Sequence, residues 1–76
     1  MAQNAVKIMR ARDLAASGRA HDVRVAAGVS LAEVAEDVGV TTGCVHGWER
    51  GRYLPRGERA VRYADVLAQL ERAMRP

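Results

Sequence analysis

One segment of twenty-one residues, 31–51, constrains the fold more than any other part of the chain. Its apolar residues recur three or four positions apart on either side of Gly39, at Val34, Val38, Val45 and Trp48. This spacing places each pair on one face of a short helix. Gly39 can adopt the positive φ that ends a helix. The segment therefore predicts two short helices that share a core.

Polar residues at both ends of the segment fix where these helices begin and end. Ser30 followed by Glu33 is a capping box, so a helix begins directly after Ser30. Thr41 or Thr42 can cap the second helix through its hydroxyl, and Gly51 closes that helix. The pattern is that of a helix-turn-helix, a motif that carries its second helix into the DNA major groove.

The remainder of the chain also indicates helices. The periodicity and the glycines predict helices over 4–16, 19–27 and 58–74, in addition to 31–38 and 42–50. Whether the first two are separate helices or one kinked helix stays open. Pro55 predicts a loop before the last helix. The expected fold class is all-α.

Length and composition exclude several classes of protein. A chain of 76 residues has room for one small domain and little room for a deep substrate pocket, so an enzyme is not expected. The single cysteine, Cys44, excludes an internal disulfide, and His21 with His46 lacks further ligands for a metal. No apolar run suits a membrane span or a signal peptide. We expect a cytoplasmic protein without cofactors.

The basic side chains are concentrated after the motif. Residues 50–62 contain five arginines and one glutamate, whereas residues 30–49 contain four acidic side chains and no lysine or arginine. The positive block thus begins where the second motif helix ends, at the place where a docked protein meets phosphate. A solvated loop is the alternative interpretation.

The last predicted helix has more apolar surface than one core contact needs. Its polar residues form a single stripe, and both flanks of the stripe within 61–74 are apolar. Two explanations are open: either a second copy of the protein packs on 61–74 and forms a homodimer, or the N-terminal helix covers the excess apolar surface.

The chain from Arg24 to about Leu70 resembles the phage-repressor and Cro type of helix-turn-helix protein, the xenobiotic response element family. The matching residues are Val29 to Ala35, Val38 to Val40, Val45, Trp48 to Arg52, and Pro55. The resemblance implies a lambda-repressor-like bundle of four to five helices, sequence-specific binding of double-stranded DNA, and a dimer on a palindromic operator. Residues 1–18 lie largely outside the pattern. We therefore divide the chain into an N-terminal helical extension, 1–18, and a helix-turn-helix domain, 19–76.

The resemblance also implies roles for individual residues. The residues that open the second motif helix face base edges, and here they are Thr41, Thr42, Gly43 and His46. The residues implied to contact phosphates are Ser30, Arg50, Arg52 and Arg56. Trp48 is expected to pack in the core and Glu49 to cap or to pair with a basic neighbour. Relatives commonly carry polar or basic side chains at 43 and 47, but both positions are glycine here, which leaves few side chains to read bases.

The resulting functional prediction is a transcriptional regulator, a repressor or Cro-like protein of a bacterium or a phage-infected host. The alternative is a module that uses its helix-turn-helix to bind protein, such as an antitoxin, a recombination accessory factor or a phage packaging subunit.

Overall fold

The computed structural model describes residues 2–75, which form five α-helices and their connections. The helices are α1 (Ala2–Ser17), α2 (Arg19–Ala26), α3 (Leu31–Val38), α4 (Thr42–Glu49) and α5 (Gly57–Ala73). The all-α prediction is confirmed, and each predicted helix lies within one or two residues of its observed bounds. Gly18, at φ 84°, separates α1 from α2, so these are two helices.

Local signals fix the ends of the two motif helices. Ser30 Oγ accepts a hydrogen bond from Glu33 N at 3.0 Å, and Glu33 Oε1 accepts one from Ser30 N at 2.9 Å. The predicted capping box is therefore present. Gly39 ends α3 at φ 87°, in the left-handed region that favours glycine. Thr41, rather than Thr42, caps α4, because its Oγ1 accepts from Cys44 N at 3.1 Å.

All five helices contribute to one core. Its largest members are the aromatic pair Trp48 and Tyr63, whose ring centroids lie 4.7 Å apart. The predicted core residues of the motif are all buried, at Val34, Val38, Val45 and Trp48. The Tyr63 hydroxyl is buried without a hydrogen-bond partner, and this burial raises the pKa of Tyr63.

The N-terminal helix belongs to this core. α1 packs along α5 and contributes Ala11, Leu14 and Ala15 to the buried cluster. It also contacts the loop before α5, since Arg12 Nε donates to the carbonyl of the buried Pro55 at 3.1 Å. The N-terminal helix therefore covers part of the apolar surface of α5.

Part of the apolar surface of α5 stays uncovered. Val66 and Leu70 are half-buried, and Met74 is 41% exposed. These three residues lie four positions apart, so they share one strip of the helix. None of the helices over residues 2–75 combines the length and the apolar character needed to cross a membrane.

Candidate nucleic-acid interface

All four residues predicted to face bases lie on the exposed side of α4 or at its N-cap. Thr41, Thr42, Gly43 and His46 are each exposed. Thr42 and His46 lie four residues apart, so they share one face of the helix, while Val45 and Trp48 face the core. Whether these residues touch bases stays a prediction.

Gly43 leaves the first turn of α4 without a side chain. A Cβ at this position would meet no atom within 4 Å. No packing therefore requires the glycine, and its absence of a side chain lets another molecule approach the backbone of α4 closely.

Gly47 differs from Gly43, because it is covered by another side chain and does not face open space. It is buried, and the ring of Tyr53 lies directly against it. A Cβ at 47 would stand 2.7 Å from Tyr53 Cε2 and still closer to Cζ and Oη. Gly47 thus makes room for an aromatic ring, and the expectation of a bare position on the helix surface was wrong. The sequence offered no signal for this contact, which joins a helix to the loop that follows it.

This difference predicts unequal gains in stability from two alanine substitutions in one helix. Gly43→Ala should raise the free energy of unfolding by about 0.8–1 kcal/mol, the usual gain in helix propensity. Gly47→Ala should gain less, because its methyl group displaces the Tyr53 ring. In a Tyr53→Ala background, Gly47→Ala should recover the full gain. Urea unfolding of the four variants measures these changes, and equal gains for the two single variants would contradict the packing.

Glu49 connects α4 to the preceding helices through a buried ion pair. Its Oε2 lies 2.6 Å from Arg24 Nε and its Oε1 lies 3.0 Å from Arg24 Nη2. His21 Nδ1 lies 2.9 Å from the same Oε1. The Glu49 side chain is 3% exposed. The predicted pairing of Glu49 with a basic neighbour is confirmed, and its partners lie on α2.

Arg24 extends this connection to the turn before α3. Its Nη1 donates to the carbonyl of Val29 at 2.9 Å. One guanidinium therefore joins α2, the turn before the capping box and the end of α4. This network fixes the position of α4 relative to the rest of the helix-turn-helix.

Hydrogen bonding and burial act in opposite directions on the pKa of Glu49. Burial raises it, but hydrogen bonds and charge from Arg24 and His21 outweigh burial, so the pKa lies below the ordinary value of 4.5. The ionised carboxylate therefore stabilises the folded state above pH 4.5, and this contribution is lost as the pH falls through the lower folded pKa.

We accordingly expect the free energy of unfolding of the wild type to fall as the pH is lowered below about 4.5. Glu49→Gln should show a shallower fall over the same range, because it has no carboxyl to protonate at 49. Glu33→Gln is a comparison variant. It removes an exposed carboxyl whose pKa is also lowered, by its hydrogen bonds with Ser30, so it too should show a shallower fall. Urea unfolding between pH 3 and 6 measures the slopes. Parallel profiles for Glu49→Gln and the wild type would contradict the direction given.

The predicted phosphate contacts lie at two places around the motif. Ser30 is exposed at the start of α3, where its oxygen already accepts the capping bond. Arg50, Arg52 and Arg56 are exposed between α4 and α5, and no carboxylate in the described part of the chain forms an ion pair with them. Their role at phosphates stays a prediction.

Two further arginines extend this basic surface. Arg59 and Arg62, on the first turns of α5, line a shallow groove with Arg56 and Gly39. Arg62 is less available than Arg59, because it lies 3.8 Å from Glu58 and donates to the Val38 carbonyl. The charge pattern of residues 50–62 had indicated this surface, although neither residue was singled out.

Among residues 2–75, no three histidine, cysteine, aspartate or glutamate side chains are grouped so as to hold a metal ion.

The geometry agrees with the comparison to known protein families. The helix-turn-helix domain family matches residues 9–76, which include the last part of α1 and all of α2 to α5. No curated protein and no solved structure matches the chain. Helix-turn-helix domains typically bind DNA, with the second helix of the motif in the major groove. The match covers most of the sequence, and the chain belongs to the helix-turn-helix domain family.

Proposed function

We propose that the protein is a sequence-specific regulator of transcription, of the repressor or Cro kind, that binds double-stranded DNA in a bacterium or a phage-infected cell. The observation that supports this most directly is the exposed face of α4 beside three arginines that form no ion pair with any carboxylate among residues 2–75. Thr42 and His46 are exposed on that face, and Arg50, Arg52 and Arg56 follow the helix.

In the proposed complex, α4 enters the major groove. Thr41, Thr42 and His46 bond base edges or contact a thymine methyl group, and Gly43 permits close approach of the backbone. Ser30 and the three arginines bind phosphates on either side of the groove. Regulation would be steric, because a protein bound at an operator blocks or redirects the polymerase.

We further propose that the protein binds as a homodimer through residues 61–74. The strip of Val66, Leu70 and Met74 supports this contact, because these apolar side chains are only partly covered within one chain. A palindromic operator would then present half-sites about 34 Å apart. Sedimentation of the free protein and of its DNA complex gives the number of copies in each.

Selection from a random pool of DNA duplexes tests the function. We expect an enriched motif, and a slope of log affinity against log salt of roughly −3 to −5 for each bound copy. Binding that is constant between low and moderate salt would refute DNA recognition. Retention of duplexes without an enriched motif would refute sequence specificity and favour a module whose main partner is protein.

A further inference from the structure

Tyr53 lies along α4, although it belongs to the loop that follows that helix. The ring packs on Gly47, where any side chain would overlap with it. The hydroxyl reaches back by one helical turn and donates to the Gly43 carbonyl at 3.5 Å. Tyr53 therefore covers Gly47 and reaches the backbone of Gly43 through its hydroxyl.

This position brings Tyr53 to the exposed side of the helix. Gly43 and Gly47 lie four residues apart on one face, next to the face that carries Thr42 and His46. Although its ring packs on Gly47, Tyr53 is 51% exposed. A molecule that contacts Thr42 and His46 would thus meet the Tyr53 ring as well.

We propose that Tyr53 is a specificity-determining residue of the DNA interface, whose ring occupies the place of the side chain missing at 47. Its hydroxyl bonds a base edge in the major groove. This inference rests on the proposed function and adds a reading residue from outside the helix-turn-helix.

The chemistry of tyrosine suits this role. A phenol hydroxyl donates and accepts, and the major groove presents acceptors on guanine, adenine and thymine. The bond to the Gly43 carbonyl is at the outer limit of hydrogen-bond length, so exchanging it for a base acceptor costs little. The ring has only two rotatable bonds and is already packed on Gly47, which keeps the loss of side-chain freedom on binding small.

The position of the hydroxyl favours a base over a phosphate. It lies on α4 itself, against Gly47 and 3.5 Å from the Gly43 carbonyl oxygen. The N-terminal residues of a recognition helix contact base edges, whereas contacts to the DNA backbone come from elements beside it. Arg50, Arg52 and Arg56 lie in such a neighbouring element, the segment between α4 and α5.

Variants at 53 separate the ring from the hydroxyl. A motif is first selected with the wild type from a random 30-base-pair duplex pool, and the selection is repeated with Tyr53→Phe and Tyr53→Ala. We expect both variants to relax the preference at one or more positions of the motif. Affinity for the selected duplex should fall roughly tenfold for Tyr53→Ala, the size of one base contact, and that for a scrambled duplex less than twofold.

Two further variants secure the interpretation. Gly47→Ala keeps Tyr53 but displaces its ring, so it should relax the same motif positions. Met9→Ala, at an exposed position of α1, controls for loss of an exposed apolar side chain and should retain the motif. Circular dichroism confirms that each variant is folded before binding is compared.

The outcomes distinguish this inference from the function on which it rests. An unchanged motif in Tyr53→Ala, or an equal loss of affinity for the selected and scrambled duplexes, would overturn the role of Tyr53 and leave the DNA-binding function intact. A wild-type protein that enriches no motif would overturn both.

Discussion

Replacing Glu49 by glutamine is expected to lower the free energy of unfolding by about 3 kcal/mol, the lower end of the cost of breaking a buried ion pair. The substitution preserves size and removes the charge that faces Arg24. The Arg24 side chain is only 12% exposed, so its guanidinium would keep a buried positive charge with a neutral partner. For a domain of this size the loss corresponds to a decrease in Tm of about 12–24 °C.

Glu36→Gln is the matched control for this prediction. It makes the same chemical change on α3, where Glu36 is exposed, and should alter the free energy of unfolding by less than about 0.5 kcal/mol. Thermal and urea unfolding compare the two variants. A loss below about 1 kcal/mol for Glu49→Gln would mean that water screens the pair as it screens exposed ones.

A double substitution tests whether Arg24 is the partner responsible. Arg24→Met combined with Glu49→Gln removes both charges, so neither is left buried alone. The double variant should lose less free energy of unfolding than the two single variants do in sum. Strict additivity would show that the two side chains contribute independently.

The sequence predicted the parts of this fold that depend on near neighbours. The capping box of Ser30 and Glu33 joins residues three apart, and Gly39 acts through its own backbone. Such signals can be read without knowing how the chain packs. This explains why the bounds of α3 and α4 were predicted closely.

Contacts between distant residues were predicted only in part. Pairing of Glu49 was expected, but Arg24 is one of eleven arginines and lies twenty-five positions away. The fit of Tyr53 against Gly47 depends on the path of a loop, which no local pattern specifies. The scaffold of the candidate site was therefore more predictable than its surface.

The functional residues were likewise predictable in their location but not in their contacts. Their exposure on α4 and beyond it follows from the helix-turn-helix pattern, because the core positions leave only one side of α4 free. Contacts to DNA depend on a partner whose sequence the chain does not encode. They must be measured on the complex.

Replacing Arg50, Arg52 and Arg56 together by alanine is expected to weaken DNA binding by about 10²–10³-fold at 0.1 M salt. Each phosphate contact that is lost should reduce the magnitude of the salt slope by about 0.9, because fewer counterions are released when the protein binds. The three side chains are exposed, so the fold should tolerate the change. Fluorescence anisotropy at several salt concentrations gives both quantities.

The matched control removes three arginines from another part of the surface. Arg10, Arg19 and Arg75 lie on α1, at the start of α2 and after α5, outside the proposed dimer contact, and their replacement by alanine changes the net charge by the same amount. Breaking the exposed pair of Arg19 and Glu71 should cost little stability. If affinity depends on contact with phosphate, this control should nearly retain the wild-type slope. Equal losses in the two triple variants would show that total charge, rather than the arginines after α4, determines binding.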